Sequence, residues 1–324
     1  MRNEDSPVGR YRKDPGAERF IAHLNATLRS AHDAELADLP PGEPLIHVIG
    51  VPRSGTTLAM QLLSCAYDIG YIDNLAATFW QAPLYGIRLS RKLLGRRCSS
   101  FNSDFGRTAG LHEPHEFGYF WTERLRYAEL APPAPGHSES IDWDSLAKVL
   151  RAMAADFGAP VMFKNFLAMW HLQDFADRMP ESRFLFVRRD LADAACSLLR
   201  MRERFMGDRA AWVSMKPREY GALASATPVE QVAGQAFFLD RALAEGMASL
   251  PPDRYAVIDY ADMVGDPGRL FAACEPLLGD SAGRLRRPEI VLEGFARAGG
   301  PPDPERAAVV EALGRLRASN GTAR

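Results

Sequence analysis

The stretch Ile46-His-Val-Ile-Gly50-Val-Pro-Arg-Ser-Gly55-Thr-Thr-Leu58 decides the reading of this chain. An apolar strand runs into a glycine-flanked loop, and the loop opens an apolar helix. Such a turn leaves successive backbone N–H groups unpaired at the positive end of a helix dipole. The product is an anion cradle, and the usual occupant of such a cradle is a nucleotide phosphate. The spacing Gly50-x-x-x-x-Gly55 matches the phosphate loop of nucleotide hydrolases and kinases, which carries Lys directly after the second glycine. Here Thr56 stands in that place, and the cation lies inside the loop at Arg53. Thr57 keeps the hydroxyl position that in those proteins holds magnesium. The loop is therefore suited to grip one phosphate group through Arg53, Ser54, Gly55, Thr56 and Thr57, without the lysine that bridges a triphosphate.

The chain around this loop reads as soluble and globular, with 47% hydrophobic and 25% charged residues among 324. A net charge of −2 gives no general attraction to nucleic acid or to membrane surfaces. The start, Met1-Arg-Asn-Glu-Asp-Ser-Pro, lacks the apolar core of a signal peptide. No run approaches the roughly 20 apolar residues of a membrane-spanning helix. Cys65, Cys98, Cys196 and Cys274 have neither metal-ligand spacing nor the density of a disulfide scaffold, and two of them read as plain core residues on helix faces. A reducing cytoplasm is the expected location.

Strands are expected at about 45–51, 161–163, 183–187 and 255–258. Helical patterns fill about 16–37, 56–65, 74–94, 114–128, 142–157, 168–178, 190–199 and 228–249, and 98–109 reads as irregular. Apolar strands alternating with helices predict an α/β fold, a P-loop-type parallel sheet flanked by helices on both faces. With no linker and no internal repeat, the expectation is a single domain over 1–324. Residues 1–43 then form a helical extension, and 280–324 form a wrap or lid.

A second constellation lies at Phe184-Leu-Phe-Val-Arg-Arg-Asp-Leu-Ala-Asp-Ala-Ala-Cys-Ser197. Two arginines stand at the carboxyl end of a strand, where ligands collect in parallel sheets. Arg189 and Ser197 could hold a second phosphate on the same rim; alone, Arg-Arg-Asp reads equally well as an ion pair at a helix start.

Taken together, Val-Pro-Arg-Ser-Gly-Thr-Thr-Leu at 51–58 and Phe-Val-Arg-Arg-Asp-(x)6-Ser at 186–197 resemble the sulfotransferases that use 3′-phosphoadenosine 5′-phosphosulfate. The resemblance implies that the first motif binds the 5′-phosphosulfate and that Arg189 and Ser197 bind the 3′-phosphate. It continues at Phe163-Lys-Asn165, similar to the family's lysine-bearing strand end, and at Asp259-Tyr-Ala-Asp-Met-Val-Gly-Asp-Pro267. The arginine in the loop is similar to the bacterial and protein-tyrosine branches. Two features depart from the family: there is no C-terminal Arg-Lys-Gly-x-x-Gly-Asp-Trp-Lys loop, and Ala261 replaces a glutamate. The carboxylate that follows the loop by about twenty residues in the tyrosine branch falls at Asp73 or Asn74.

Sulfuryl transfer needs an aligned hydroxyl, a base for its proton and stabilisation of the leaving phosphate. Arg53 and the loop amides can supply the last, with help from Lys164. The base is sought in Gly110-Leu-His-Glu-Pro-His-Glu-Phe-Gly-Tyr-Phe-Trp121. A helix beginning near Pro114 would put His112, Glu113, His115 and Glu116 around its start, with Glu113 and Glu116 three apart on one face. Glu113 and His115 lead, and Asp73 is the outsider. Such acids also read simply as helix-start residues favoured by the dipole, and Phe117, Tyr119, Phe120 and Trp121 read more readily as core than as an acceptor pocket. No metal is signalled. The acceptor could be a small molecule, a carbohydrate or a lipid headgroup. Two alternatives stand beside this reading: a P-loop kinase or nucleotide hydrolase, using Tyr255-Ala-Val-Ile-Asp259 to hold magnesium, and a non-catalytic nucleotide-binding protein on the same fold.

Overall fold

Every residue of the first strand, β1 (Leu45–Ile49), is buried, as a strand covered on both faces must be. The computed structural model describes residues 14–95, 97–290, 292–295 and 304–320. The strands after β1 are β2 (Gly70–Tyr71), β3 (Ser103–Asp104), β4 (Arg107–Thr108), β5 (Val161–Lys164), β6 (Ser182–Arg188) and β7 (Tyr255–Asp259). Five of them form one parallel sheet in the order β2-β5-β1-β6-β7, and β3 and β4 form a separate antiparallel pair. In register, Val48 lies beside Lys164, and Ile49 beside Phe186. The loop after β1, the end of β5 and the arginines after β6 therefore emerge on one rim.

The longer helices are α1 (Pro15–Glu35), α2 (Thr56–Ala66), α3 (Pro83–Leu94), α4 (Gly118–Arg124), α5 (Trp143–Phe157), α6 (Leu172–Arg178), α7 (Leu191–Met206), α8 (Pro228–Ala248), α9 (Pro267–Leu278) and α10 (Pro304–Asn320). The period-2 alternation of the strands sorts their side chains between two cores. Ile46, Val48, Met162, Leu185 and Val187 pack with Met60 and Leu63 of α2 and Leu270 and Phe271 of α9. Leu45, Ile49, Phe163, Phe184 and Phe186 pack with Trp121, Leu146, Leu150 and Phe175 on the other face. α10 lies on α7 and α8 through Val309 and Leu313; residues 291, 296–303 and 321–324 of the expected C-terminal wrap and the first 13 residues of the N-terminal extension lie outside the described residues.

His47, on the second of these faces, is fully buried among the rings of Trp121, Phe163, Phe175 and Phe184, and neither ring nitrogen has a hydrogen-bond partner. Burial pushes its pKa down to about 3, so it sits in the core as a neutral ring.

Three local expectations differ. The helix expected over 74–94 divides at Pro83, because a turn at Ala76–Phe79 is capped by Asp73 Oδ1, which accepts from the Ala76 N–H at 2.7 Å. The stretch at 98–109 contains the β3–β4 hairpin. The helix expected from Pro114 starts only at Gly118. Pro114 is held against Asp73 in a β-bridge, and the His115 N–H donates to Ile72 O at 2.9 Å, so a turn through 111–113 leads into chain paired with the segment that follows β2. The cysteines differ as well. Cys65 at the end of α2 and Cys98 form a disulfide across 33 residues, while Cys196 and Cys274 are buried thiols. Neither spacing nor number betrays that pair, because only the packing of α2 against the segment after α3 brings them together. No helix among the described residues is long and apolar enough to cross a membrane.

Candidate active site

The loop after β1 is shaped by contacts that admit few substitutions. A Cβ on Gly50 would lie 2.2 Å from Ser54 Oγ and 2.5 Å from Val187 O. Gly55 caps α2 with φ of 107°, a conformation open to glycine, and a Cβ there would strike the Tyr260 ring at 2.4 Å. Arg53 also takes a positive φ, 72°; a non-glycine residue held there marks a site whose surroundings over-determine it. Ser54, Thr56 and Thr57 are buried behind it.

The two arginine motifs meet. Arg53 Nε donates to Ser197 Oγ at 3.1 Å, and Arg189 Nη1 donates to the Arg53 carbonyl at 2.9 Å. Arg189 also lies over the Tyr260 ring, 4.4 Å from its centroid. Burial, followed by the charge of Arg189, pushes the Arg53 pKa down to about 10. Two guanidinium groups crowded in this way are relieved by an anion between them. The Arg189 Nε and the Ser54 Oγ are buried without a hydrogen-bond partner in the protein, donors of the kind that phosphate oxygens satisfy. The chemistry of this donor set fits a phosphate-bearing ligand.

Lys164, at the end of β5, joins the cradle to the segment at 112–116. Its Nζ donates to Thr57 Oγ1 at 2.8 Å and forms a short ion pair with Glu116. Burial would raise the Glu116 pKa, but the charge and hydrogen bond of Lys164 outweigh it and hold the carboxyl below its ordinary value. The Glu116 side chain nonetheless keeps 47% of its surface exposed, so solvent tempers that effect and an approaching hydroxyl can reach the carboxylate.

Glu113, three residues earlier, is 1% exposed and turned the other way. It accepts from Gln61 Nε2 at 2.9 Å, Ser99 Oγ at 2.6 Å, the Ser100 N–H at 2.7 Å and Ser100 Oγ at 2.8 Å. Burial works against its charge, and these donors prevail, lowering its pKa. The leading carboxylate from sequence is thus a fastening between α2 and the chain at 99–100. Asp73 is committed likewise, to the Ala76 N–H and Ser90 Oγ. His115 is exposed, and its Nδ1 accepts from the Phe117 N–H at 2.8 Å; its charge is among the influences that lower Glu116. The expected face of paired groups fails because 112–116 is a turn followed by a bridged, non-helical stretch, and the helix starts only at Gly118. Phe117, Phe120 and Trp121 are core residues. Reading the sequence alone missed Gly106, which carries no local signal; Tyr260 lies in the 259–267 stretch, but its contact with Arg189 was not foreseen.

A profile of the sulfotransferase family matches residues 44–273. The chain belongs to the sulfotransferase family. As a family member it is a sulfuryl-transferring enzyme, and the profile spans the loop, Lys164, Arg189 and Ser197. The sulfotransferase STF9 from Mycobacterium avium shares the fold at a TM-score of 0.50 and 15% identity, over 98% of this chain and 76% of that one. The sulfotransferase STF1 from Mycobacterium tuberculosis H37Rv matches at 0.48 and 15%, over 82% and 75%. No curated protein matches the chain. Among the described residues, no group of His, Cys, Asp and Glu is arranged to hold a metal.

Proposed function

We propose that this sulfotransferase takes the sulfuryl group from 3′-phosphoadenosine 5′-phosphosulfate and passes it to an acceptor hydroxyl, with Glu116 as the base. The observation that carries this reading is the line of contacts from Thr57 through Lys164 Nζ to Glu116. It sets a donor to the leaving phosphate and an acceptor of a proton on either side of one amine, at the mouth of an anion loop.

In the reaction, Arg53 and the N–H groups at the start of α2 hold the 5′-phosphate and take up the charge that grows on it. Arg189 and Ser197 hold the 3′-phosphate, as the family resemblance assigns. The acceptor oxygen forms a bond to sulfur as the bond from sulfur to the 5′-phosphate oxygen breaks, and Glu116 removes the hydroxyl proton. Lys164 weakens Glu116 as a base while the two are paired. As Lys164 shifts to the leaving oxygen, the carboxylate regains basicity at the step that needs it. The products are the sulfate ester and adenosine 3′,5′-bisphosphate. A hydroxyl on a small molecule, a carbohydrate or a lipid headgroup meets these requirements, and the scheme needs no metal.

The test is thermal. Adenosine 3′,5′-bisphosphate without magnesium should raise the melting temperature; at a hundredfold excess over Kd the expected stabilisation is about 2.7 kcal/mol. Stabilisation by magnesium-ATP, with no response to the bisphosphate, would overturn the reading in favour of a kinase-like site.

A further inference from the structure

The tip of the β3–β4 hairpin stands inside the cradle. Phe105 and Gly106 both have positive φ, 51° and 87°, as the two central residues of a type I′ turn require. A point one bond from Gly106 Cα, where a side chain would begin, lies 3.1 Å from Arg53 Nη1, 3.2 Å from Thr57 Oγ1 and 3.8 Å from Lys164 Nζ. Three donors proposed to hold the transferring group thus converge beside the Gly106 backbone. Thr57 Oγ1 donates to the Gly106 carbonyl at 3.4 Å, and Phe105 lies under the Arg53 guanidinium, 5.2 Å from ring centroid to cation.

The hairpin is fastened at several points. Phe105 meets Phe205 edge to face at 5.6 Å, Arg107 lies over the same Phe205 ring, and Arg204 pairs with Asp104 at 3.1 Å. All three ties lead to the end of α7. At its C-terminal base, Asn74 Nδ2 donates to Thr108 Oγ1 at 3.0 Å. At its N-terminal base, Cys98 is joined to Cys65, and Glu113 holds Ser99 and Ser100. Of these ties only the disulfide is covalent, and it runs to the far end of α2, the helix whose start forms the cradle.

We propose that the hairpin is a plug over the donor site and that the Cys65–Cys98 disulfide is its tether, so that reduction opens the site to the donor. This rests on the assignment of the 50–57 loop as the donor cradle. A dithiol reductant supplies two electrons and two protons; the S–S bond breaks to two thiols, and the reductant closes to its own disulfide. The segment from 98 is then held only by non-covalent ties: the hydrogen bonds of Ser99, Ser100 and Thr108, the Arg204–Asp104 pair and the Phe105 ring contacts. Displacing the tip frees Arg53, Thr57 and Lys164 together for the phosphosulfate.

The experiment measures adenosine 3′,5′-bisphosphate binding to the full chain by titration and stopped flow, with the disulfide intact and after dithiothreitol. Cys98→Ser and Phe105→Asn are compared; the second supplies the Asn-Gly pair that such turns favour while removing the aromatic anchor. If the closed form holds about nine-tenths of the population, opening should tighten binding roughly tenfold. The increase should appear in Phe105→Asn without reductant, and Cys98→Ser should respond to dithiothreitol no further. Equal affinity and association rate in all four forms would overturn the plug while leaving the donor reading intact. Absence of binding in every form would overturn the donor reading and the plug with it.

Discussion

The loop at 50–57 and the segment at 110–118 both reach Lys164, yet they are built in different ways. In the loop the backbone does the work: the glycines, the positive φ at Arg53 and the start of α2 follow one another in the chain. In the segment the outcome depends on where each side chain points. Glu113 and Glu116 stand three residues apart and are chemically identical, but one is wrapped by Gln61, Ser99 and Ser100 and the other pairs with Lys164 at the cradle. A local motif announces itself to neighbours in sequence. A base is made by what folds against it.

Substituting the two glutamates separately puts this contrast to its hardest test. Glu116→Gln should cost about 10²- to 10⁴-fold in kcat, with donor binding and melting temperature nearly unchanged. Glu113→Gln should do the reverse. It leaves buried donors facing an amide and costs roughly 2–3 kcal/mol in chemical denaturation, while kcat of the folded enzyme stays within a few-fold. An exchange of these two outcomes would return the base to Glu113. Arg53→Ala should lower donor affinity and kcat together, by roughly 10²- to 10³-fold in kcat/KM. Donor affinity unchanged in that variant would remove the cradle from the account.

The smallest effect concerns the strand that feeds the loop. His47 has a folded pKa of about 3, well below the unfolded value of about 6.5. The unfolded chain therefore binds the extra proton first. The neutral ring is compatible with the fold above pH 6.5, and stability is lost as pH falls from there toward 3, at about 1.4 kcal/mol per unit from this group. His47→Phe should flatten that part of the denaturation profile and leave bisphosphate binding at neutral pH unaltered. An unchanged acid slope would mean that the ring is solvated and charged in the fold. A change in binding alone would mean that strand and cradle are coupled more tightly than the comparison holds.

The parallel sheet, the glycine-flanked loop before α2 and the placing of Arg189 and Ser197 on the rim beside Arg53 were legible because each follows from local pattern: apolar runs, glycine spacing, and arginines at a strand end. The misread elements share one cause. Pro114 looked like a helix start, but the backbone at 112–116 is taken by the chain after β2 through Ile72 and Asp73. The irregular stretch at 98–109 hides a hairpin whose turn, Phe105-Gly106, lacks the Asn or Asp that usually marks such turns. Cys65 and Cys98 gave no sign of pairing across 33 residues.

What the sequence determined by itself is the course of the glycine-flanked loop at 50–57 and the sheet that presents it, since φ preferences and the alternation of apolar side chains act between near neighbours. Tertiary structure decided which carboxylate meets Lys164, which one is spent as a fastening, and what stands over the cradle. Those choices depend on contacts between segments 13 to 107 residues apart, such as Glu113 with Ser100 and Lys164 with Glu116 and with Thr57. No local propensity records them, because the energy that sets them exists only once the sheet has brought the segments together.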